Sequence, residues 1–339
     1  MANIIKNRTE REASDILLTR NFPSGRASKK KNDAVCIQEH GRLINVSIKP
    51  NWNPTLKANL SSLKTVTAKN ILILNLNNNS AYGHIYSEVL SELHSVDETY
   101  PESDYIITTM SPLMKNLINF FDLKLSNKIK FIGKGQEFLL DFEHLRIVNH
   151  CPRSYGNKAK NVIALKEAFH FSKPIAKKDR EVLLYCSRNS PTARNGRRLT
   201  QETETEIVKI LKRYANKNNL EFYLLTGQED DGTVTPVSKQ YDLFSNAKLV
   251  VGVHGGVMSN LIFLDPLKYP KIIEICPTSG KCFSKLFNGA IDTFAEYHTI
   301  LYKTSPEIET LEGRSFIDAL GKEESTIDKR ELKRLLGII

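Results

Sequence analysis

The chain has 339 residues, of which 40% are hydrophobic and 25% are charged. This composition is typical of a globular protein, and the length allows two domains of ordinary size that share a cleft. The net charge of +10 suits an anionic ligand or an acidic surface, but it does not specify nucleic acid. The five cysteines are an odd, scattered set without a CxxC pair. They argue against a disulfide framework and a zinc site, so we expect reduced thiols.

Residues 1–35 are polar and basic, and they contain the run Lys29-Lys30-Lys31. We expect a solvated N-terminal arm, with contact to an anionic membrane or polymer as the alternative. The first 20 residues are too charged for a signal peptide, and no segment is apolar enough for a transmembrane span. We therefore expect a cytoplasmic protein, for which peripheral contact with a membrane is possible.

Residues 36–173 are predicted to form an N-terminal lobe in which strands and helices alternate. The predicted strands are 35–48 (a strand or hairpin), 71–74, 105–107, 129–132 and 145–148. The predicted helices are 85–93, one that begins at Ser111-Pro112, and 165–171. Pro174 marks the expected boundary with the next lobe.

Residues 174–310 are predicted to form a C-terminal lobe. Its predicted strands are 182–186, 220–225, 249–253 and 271–275, and its helices cover 207–214 and 237–244. Strands that alternate with helices of this length predict a parallel α/β sheet. Residues 311–339 contain a basic amphipathic helix over 327–336, which we expect to pack back on the first lobe.

The strand 249–253 is apolar throughout, which predicts burial on both faces. It ends in residues 254–256, His-Gly-Gly, called the HGG loop below, where two glycines let a ligand approach the backbone. Ser259 and Asn260 follow as predicted helix N-caps. Open parallel sheets bind ligands at the carboxyl ends of their strands and anions at helix N-termini, so we expect a phosphate here. An ordinary turn with a core histidine is the alternative.

The order of residues around this loop is VVGVHGG, then SNLIFLDP, then IIEICP. It resembles the C-terminal signature of glycosyltransferase family 61, the DUF563 group. The family pattern is H-G-A-x-L-T-N, so the chain departs at Gly256, where the family has Ala, and at Ser259, where Thr is common. The resemblance implies a GT-B-type α/β fold, with two Rossmann-like lobes and a cleft between them.

The same resemblance implies inverting transfer of a sugar from a nucleotide diphosphate, generally without a required metal or other cofactor. UDP-xylose and UDP-N-acetylglucosamine are donors in the family, and a hydroxyl of a glycan or glycoprotein is the expected acceptor. Many members are anchored in the Golgi by an N-terminal segment. Since we identify no such anchor here, a bacterial or viral origin, or action in the cytosol, is consistent with the resemblance.

Arginine is the expected counter-charge for the departing diphosphate. The chain has no Asp-x-Asp motif to hold a metal, and guanidinium groups bind phosphate oxygens through two parallel hydrogen bonds. The segment SRNSPTARNGRRLTQETE, directly after the strand 182–186, resembles the family's second signature. This resemblance implies donor-binding roles for Arg188 and Arg197, with Arg198 as the alternate for the second. A group of solvated surface arginines is the alternative.

The HGG loop is expected to supply the remaining contacts to the donor. His254 can bind phosphate or orient the loop, and backbone N–H groups of Gly255, Gly256, Ser259 and Asn260 can hold phosphate at the helix start. Glu274 ends the next predicted strand and suits the ribose hydroxyls, as acidic residues do in other nucleotide sites. A cap or loop contact is the alternative for Glu274.

The general base that deprotonates the acceptor is expected in the first lobe. His84 precedes a predicted helix and titrates near neutrality, which makes it the first candidate. Glu88, one turn later, is the second. A structural histidine is the alternative for His84.

The leading hypothesis is therefore an inverting, metal-independent UDP-sugar glycosyltransferase. A non-catalytic basic module, either a degenerate transferase or an RNA-binding protein, is the alternative. RNA binding would call for aromatic residues among the basic ones, and the run Lys29-Lys30-Lys31 has none close by.

Overall fold

The computed structural model divides into two compact units, unit 1 (Met1–Asn157) and unit 2 (Lys158–Ile339). The structure describes residues 2–6, 9–12, 34–38, 42–47, 64–75, 90, 101–109, 112–121, 127–132, 138–149, 158–173, 175–176, 178–189, 198–277, 290–311, 315, 319 and 325–339. Within these residues, no helix combines the length and the apolar character that a membrane crossing requires.

Unit 1 is built on a mixed eight-stranded sheet in the order β2-β1-β8-β5-β6-β7, with β4 pairing with β8 and β3 pairing with β4. The pairs β1–β8, β8–β5, β5–β6 and β6–β7 are parallel, whereas β2 runs antiparallel to β1 and β4 runs antiparallel to β8. The strands are β1 (Ala2–Lys6), β2 (Thr9–Glu12), β3 (Ala34–Gln38), β4 (Arg42–Ser47), β5 (Lys64–Asn75), β6 (Tyr105–Thr109), β7 (Ile129–Ile132) and β8 (Phe138–Asn149).

The sequence prediction for unit 1 is confirmed for most of these elements. The predicted segment 35–48 includes strands β3 and β4, which pair antiparallel, and α1 (Pro112–Phe121) begins at the expected proline and buries Leu117, Ile118 and Phe121. The expected N-terminal arm is wrong for residues 2–6 and 9–12. Strand β1 pairs in parallel with β8, because hydrogen bonds between the strands satisfy the backbone groups of this segment whatever its side chains.

Unit 2 is built on a six-stranded sheet in the order β10-β9-β11-β12-β13-β14. All neighbours are parallel except the last pair. Counted from β9, the first five strands have the order 2-1-3-4-5, one of the two common doubly wound arrangements. The strands are β9 (Val182–Cys186), β10 (Glu221–Leu225), β11 (Ala247–Val253), β12 (Lys271–Cys276), β13 (Glu296–Lys303) and β14 (Thr326–Ile327).

The helices of unit 2 confirm the predicted alternation with the strands. They are α2 (Lys158–Ser172), α3 (Gln201–Lys217), α4 (Val237–Ser245), α5 (Pro306–Glu309) and α6 (Lys329–Leu335). The segment after the HGG strand is a 3₁₀ helix, Gly256–Phe263, called the loop helix below. Eight residues are long for a 3₁₀ helix, which points to a specific role.

Two predicted boundaries differ from the structure. Helix α2 belongs to unit 2, whereas the sequence placed the division at residues 173 and 174. Its Phe169 packs edge-to-face on Phe263 of the loop helix, with ring centroids 5.5 Å apart. The C-terminal helix was predicted to pack on the first lobe, but Leu332 and Leu335 lie in the core of unit 2 with Ile207. Burial of this apolar face, together with an ion pair between Lys329 and Glu206 of α3, explains the placement.

Glycine is required inside strand β11 because a side chain would collide with the loop helix. A Cβ atom at Gly252 would lie 2.2 Å from Met258 Sδ and 2.9 Å from Cys186 Cβ. Met258 is fully buried, so its thioether fills the space that Gly252 leaves open. This contact fixes the position of the HGG loop relative to the strand that precedes it.

We therefore expect Gly252→Ala to lower the free energy of unfolding by about 1–3 kcal/mol, because the added methyl overpacks the interior. Urea unfolding followed by circular dichroism measures the change. In a Met258→Ala background the same methyl group should cost less, because the sulfur atom is gone. An equal cost in both backgrounds would contradict this account of the packing.

Candidate functional site

The candidate site lies where strands β9 and β11 end side by side. Cys186 pairs with Gly252, so the residues that follow each strand, Ser187 and Arg188 on one and the HGG loop on the other, leave the same edge of the sheet. In the order 2-1-3-4-5, β9 is the first strand and β11 is the third. These two strands flank the point where the strand order reverses. Ligands of doubly wound folds bind in the crevice outside this point.

Arg188 connects the two strand ends directly. Its Nη1 donates a hydrogen bond to the backbone oxygen of His254 at 2.9 Å. The guanidinium lies against Gly255, where a Cβ atom would be 2.4 Å from Nη1 and 3.0 Å from Cδ. Gly255 is fully extended, with φ of 177°, so the glycine is required here by this close approach rather than by backbone strain. The prediction that Arg188 and the HGG loop lie together is confirmed.

The loop helix exposes only its first residues. Gly256 and Val257 are half-buried, whereas Met258 to Leu264 are fully buried. The first N–H groups of a helix have no partner inside it, so the accessible end of the loop helix is also the end that can bind an anion. A third strand end approaches this point, because a Cβ atom at Gly227, two residues after β10, would lie 2.6 Å from Val257 Cγ2.

The side chains of Ser259 and Asn260 do not face this opening. Both residues have no exposed surface, and the helix begins after Gly255 rather than after either of them, so the predicted N-caps are wrong. Ser259 Oγ donates back to the oxygen of Gly256, and Asn260 Nδ2 donates to Gln240 Oε1 of α4 at 2.5 Å. These side chains therefore hold the loop helix in place. A donor-binding role for the backbone of residues 259 and 260 stays a prediction.

His254 is oriented by a buried carboxylate. Its Nδ1 lies 2.6 Å from Oε1 of Glu274, which has no exposed surface. The hydroxyl of Tyr297 on β13 donates to Oε2 of the same carboxylate. One carboxylate oxygen of Glu274 contacts His254 and the other contacts Tyr297. Glu274 therefore orients the imidazole, whereas the sequence analysis predicted a contact with ribose. A carboxylate bonded to Nδ1 fixes the orientation of the imidazole ring.

Tyr297 is a residue that the sequence prediction missed. The segment 296–303 alternates polar and apolar residues, which is a signal for a half-buried strand, but nothing in it marks a functional residue. The partnership depends on β13 pairing with β12, which sets Glu274 beside Thr299, two residues along from Tyr297. Only this register brings a tyrosine to the carboxylate.

Arg198 lies on a segment that is tied to the end of β9. Asn189, next to Arg188, donates through Nδ2 to the oxygen of Leu199 at 3.2 Å. Ser325 holds the same segment by accepting from Thr200 N and donating to Arg198 O. Arg198 itself is half-buried. Arg197, His84 and Glu88 lie outside the described residues, and their roles stay predictions.

The cysteines correct one expectation. Cys186 is a free thiol buried in β9, and burial raises the pKa of that thiol well above its usual range, so it is an inert core residue. Cys276 at the end of β12 is disulfide-bonded, so the expectation of reduced thiols is wrong there. Among the described residues, no three His, Cys, Asp or Glu side chains are grouped as a metal site would require.

A family model, Glycosyltransferase 61, matches residues 82–268, which is more than half of the chain. The chain belongs to glycosyltransferase family 61. The matched segment contains Arg188, Arg198 and the whole of the HGG loop, so the resemblance to the family is confirmed, and the donor-binding roles of these residues stay predictions. Family 61 is, by its description, a family of glycosyltransferases. Glu274 and Tyr297 lie beyond the matched segment.

Comparison with known proteins gives little beyond the family. No curated protein matches the chain. Among solved structures, it is similar to the iron-containing dodecameric glycosyltransferase TibC from enterotoxigenic E. coli H10407, with a TM-score of 0.37, 10% identity and coverage of 63% of this chain and 58% of that one. A complex of the TibC heptosyltransferase with ADP-D-beta-D-heptose gives a TM-score of 0.36, 11% identity and coverage of 63% and 60%. The alignments thus span less than two thirds of TibC.

The contact of Tyr297 with the buried carboxylate predicts a stability effect. We expect Tyr297→Phe to lower the free energy of unfolding by about 1.5–3 kcal/mol, since a hydrogen bond to a buried charged group is lost. Chemical unfolding of both proteins measures the difference. Tyr223→Phe is the matched control, because that hydroxyl donates to Glu221 Oε1 at the surface, and its loss should cost less than about 0.5 kcal/mol. Equal effects at the two sites would contradict the assigned role of Tyr297.

Proposed function

We propose that this protein is an inverting glycosyltransferase that moves a sugar from a UDP-sugar to a hydroxyl of a glycan or glycoprotein. UDP-xylose and UDP-N-acetylglucosamine are the proposed donors, and the reaction is proposed to need no metal. The observation that carries the proposal is the contact between Arg188 and the HGG loop, at the point in the sheet where doubly wound folds bind nucleotides. Membership of family 61 supports the reaction class.

The chemistry assigned to this edge of the sheet is charge stabilisation. In an inverting transfer, the acceptor oxygen attacks the anomeric carbon from the face opposite to the diphosphate, and the bond from that carbon to the diphosphate oxygen breaks. Negative charge then grows on the leaving diphosphate. The half-buried guanidinium of Arg188 and the N–H groups at the start of the loop helix supply fixed positive charge for it.

His254 has two possible states that fit this role. With Nδ1 hydrogen-bonded to Glu274, a protonated imidazole presents an Nε2–H that can donate to a phosphate oxygen. A neutral ring with its proton on Nδ1 presents Nε2 as an acceptor instead. We assign the first state to the bound donor, because a phosphate oxygen and the Glu274 carboxylate both accept hydrogen bonds, so both ring nitrogens have to donate.

The proton of the acceptor hydroxyl has to be taken up by a general base. His84 remains the proposed base and Glu88 the second candidate. His84 directly precedes the helix 85–93 that the sequence predicts in the first lobe, and Glu88 lies in the first turn of that helix. Arg198 is proposed to assist Arg188 on the diphosphate, since its segment is hydrogen-bonded to the residue that follows Arg188.

The first test is a screen of nucleotide sugars for binding and for slow hydrolysis, with and without EDTA. Activity that persists in EDTA is the expected result, since arginine takes the place of a metal ion. Loss of activity in EDTA would contradict metal independence. Binding of a nucleotide sugar without any turnover would instead support the alternative of a degenerate, non-catalytic transferase.

Substitution of Arg188 tests the leaving-group role. We expect Arg188→Ala to lower kcat by roughly 10² to 10³-fold, the usual cost of removing one donor that stabilises charge in the transition state. Arg188→Lys should recover only part of this, because an ammonium group cannot form the two parallel hydrogen bonds of a guanidinium. The matched control is Arg213→Ala, an exposed arginine on α3 that should leave kcat unchanged. Wild-type turnover in Arg188→Ala would end the proposal.

Gly255→Ala tests the same role without removing the arginine. The added methyl would meet Nη1 of Arg188 at 2.4 Å, so the guanidinium must move away from the HGG loop. We expect weaker binding of UDP and lower kcat, measured by calorimetry and by turnover. In an Arg188→Ala background the substitution should have little further effect, because no guanidinium remains to be displaced. Simple additivity of the two changes would argue against their coupling.

A further inference from the structure

A buried lysine that none of the roles above uses lies against the far end of the loop helix. Lys166 of α2 is only 4% exposed. Its Nζ donates to the backbone oxygen of Ile262 at 3.2 Å and to that of Leu264. It also lies 3.1 Å from His170 Nε2 and 4.4 Å from the centre of the Phe294 ring. The ammonium group therefore binds the carbonyl groups at which the loop helix ends.

This arrangement matches the electrostatics of a helix terminus. The last carbonyl groups of a helix have no partner inside it and carry partial negative charge, which a cation offsets. A 3₁₀ helix of eight residues is a weak element by itself, so its end depends on such external partners. His170 Nε2 lies 3.1 Å from the oxygen of Leu264 as well, so two side chains of α2 meet the same carbonyl.

The lysine borders a cavity of about 710 Å³ whose walls are mainly apolar, with Phe294 and Leu267 among them. Burial lowers the pKa of Lys166 to about 7, and the carboxylate of Asp265 opposes this effect. Burial also lowers the pKa of His170 to about 4, with the charge of Lys166 as the second cause. The charged and titratable groups around the ammonium are thus His170 and Glu167 of α2 and Asp265, which follows the loop helix.

The loop helix connects this end to the HGG loop through buried residues. Every residue from Met258 to Leu264 is buried, and the side chain of Asn260 is fixed midway by Gln240 of α4. The rings of Phe169 and Tyr241 pack on Phe263, each with centroids 5.5 Å from it. A segment packed on all sides moves as one body, since protein interiors do not deform smoothly.

We propose that Lys166 is a positioning residue for the HGG loop: it fixes the carboxyl end of the loop helix, and so fixes the place of the amino end that faces Arg188. The inference rests on the proposed function only for its kinetic consequence, which is the affinity for the nucleotide sugar. The structural consequence, the order of the HGG loop, stands by itself. The two can therefore be tested separately.

The structural test is hydrogen exchange of the backbone amides over residues 254–264 in the full chain. Lys166→Met keeps the length of the side chain and removes the donor, and it should speed exchange in this segment. Lys166→Arg keeps a cation and has room in the adjoining cavity, so exchange should return towards the wild-type rate. The control is Lys217→Met, an exposed lysine in the last turn of α3, which should change nothing in this segment.

The kinetic test separates donor binding from turnover. Lys166→Met should raise the KM for the nucleotide sugar roughly tenfold, as expected for a loosened site, and change kcat less than twofold. The wild-type KM should also rise as the pH passes through about 7, where Lys166 loses its charge. Lys166→Arg stays charged throughout, so its KM should lack this rise.

Stability against pH supplies a readout that needs no substrate. The pKa of Lys166 is about 7 in the folded chain and near its ordinary value of 10.5 in the unfolded chain. The unfolded chain therefore holds the extra proton between these values, and stability rises with pH across this window. Lys166→Met should remove that rise, and its persistence would show that Lys166 is not buried as described.

The outcomes distinguish the two ideas. Unchanged exchange over residues 254–264 in Lys166→Met overturns the positioning role, whatever the kinetics show. Exchange that is faster in Lys166→Met and returns to the wild-type rate in Lys166→Arg supports the positioning role. If the protein then binds no nucleotide sugar, the proposed function is overturned. Faster exchange together with the rise in KM supports both. A Lys166→Arg variant that behaves like Lys166→Met would contradict the need for a cation at this helix end.

Discussion

The hydrogen bond from Arg188 to the backbone oxygen of His254 is the contact on which the candidate site depends. It joins the ends of two parallel strands that are neighbours in space but 66 residues apart in sequence. The strands set the direction of both segments, and Gly255 leaves the space in which the guanidinium lies. Without this contact the arginine and the HGG loop would be two separate features rather than one edge, at which we propose that the diphosphate binds.

The parts around this contact are held by buried polar pairs rather than by apolar packing alone. Glu274 orients His254, Gln240 holds Asn260, and Lys166 holds the end of the loop helix. Each pair satisfies groups that would be costly to leave without partners in the interior. A polar network of this kind specifies one position for the loop, whereas apolar side chains alone would tolerate several.

The loop helix explains how one short segment can serve two purposes. Its first residues are open to a ligand, and the remainder is as buried as the core of the sheet. The N–H groups at the accessible start of the helix and the carbonyl groups at its buried end have opposite electrostatic needs. A phosphate is proposed for the first, and the ammonium group of Lys166 satisfies the second. In the proposed reaction, both ends help to place positive charge where the diphosphate leaves.

The sequence by itself determined the elements of unit 2 and the neighbourhood of its main site. Apolar runs such as 182–186 and 249–253, bounded by turn residues, predict buried parallel strands, and the strand-end residues Arg188 and His254 follow from them. The family was also readable, because its motifs are local strings of residues. The tertiary structure alone decided where the side chains point. Buried contacts of Glu274, Ser259 and Asn260 hold the loop in place. Strand register brings Tyr297 to Glu274, and helix packing brings Lys166 to the end of the loop helix. The physical reason is that a chain pattern fixes which residues are buried, but partners far apart in sequence are chosen only when the sheet and its helices come together.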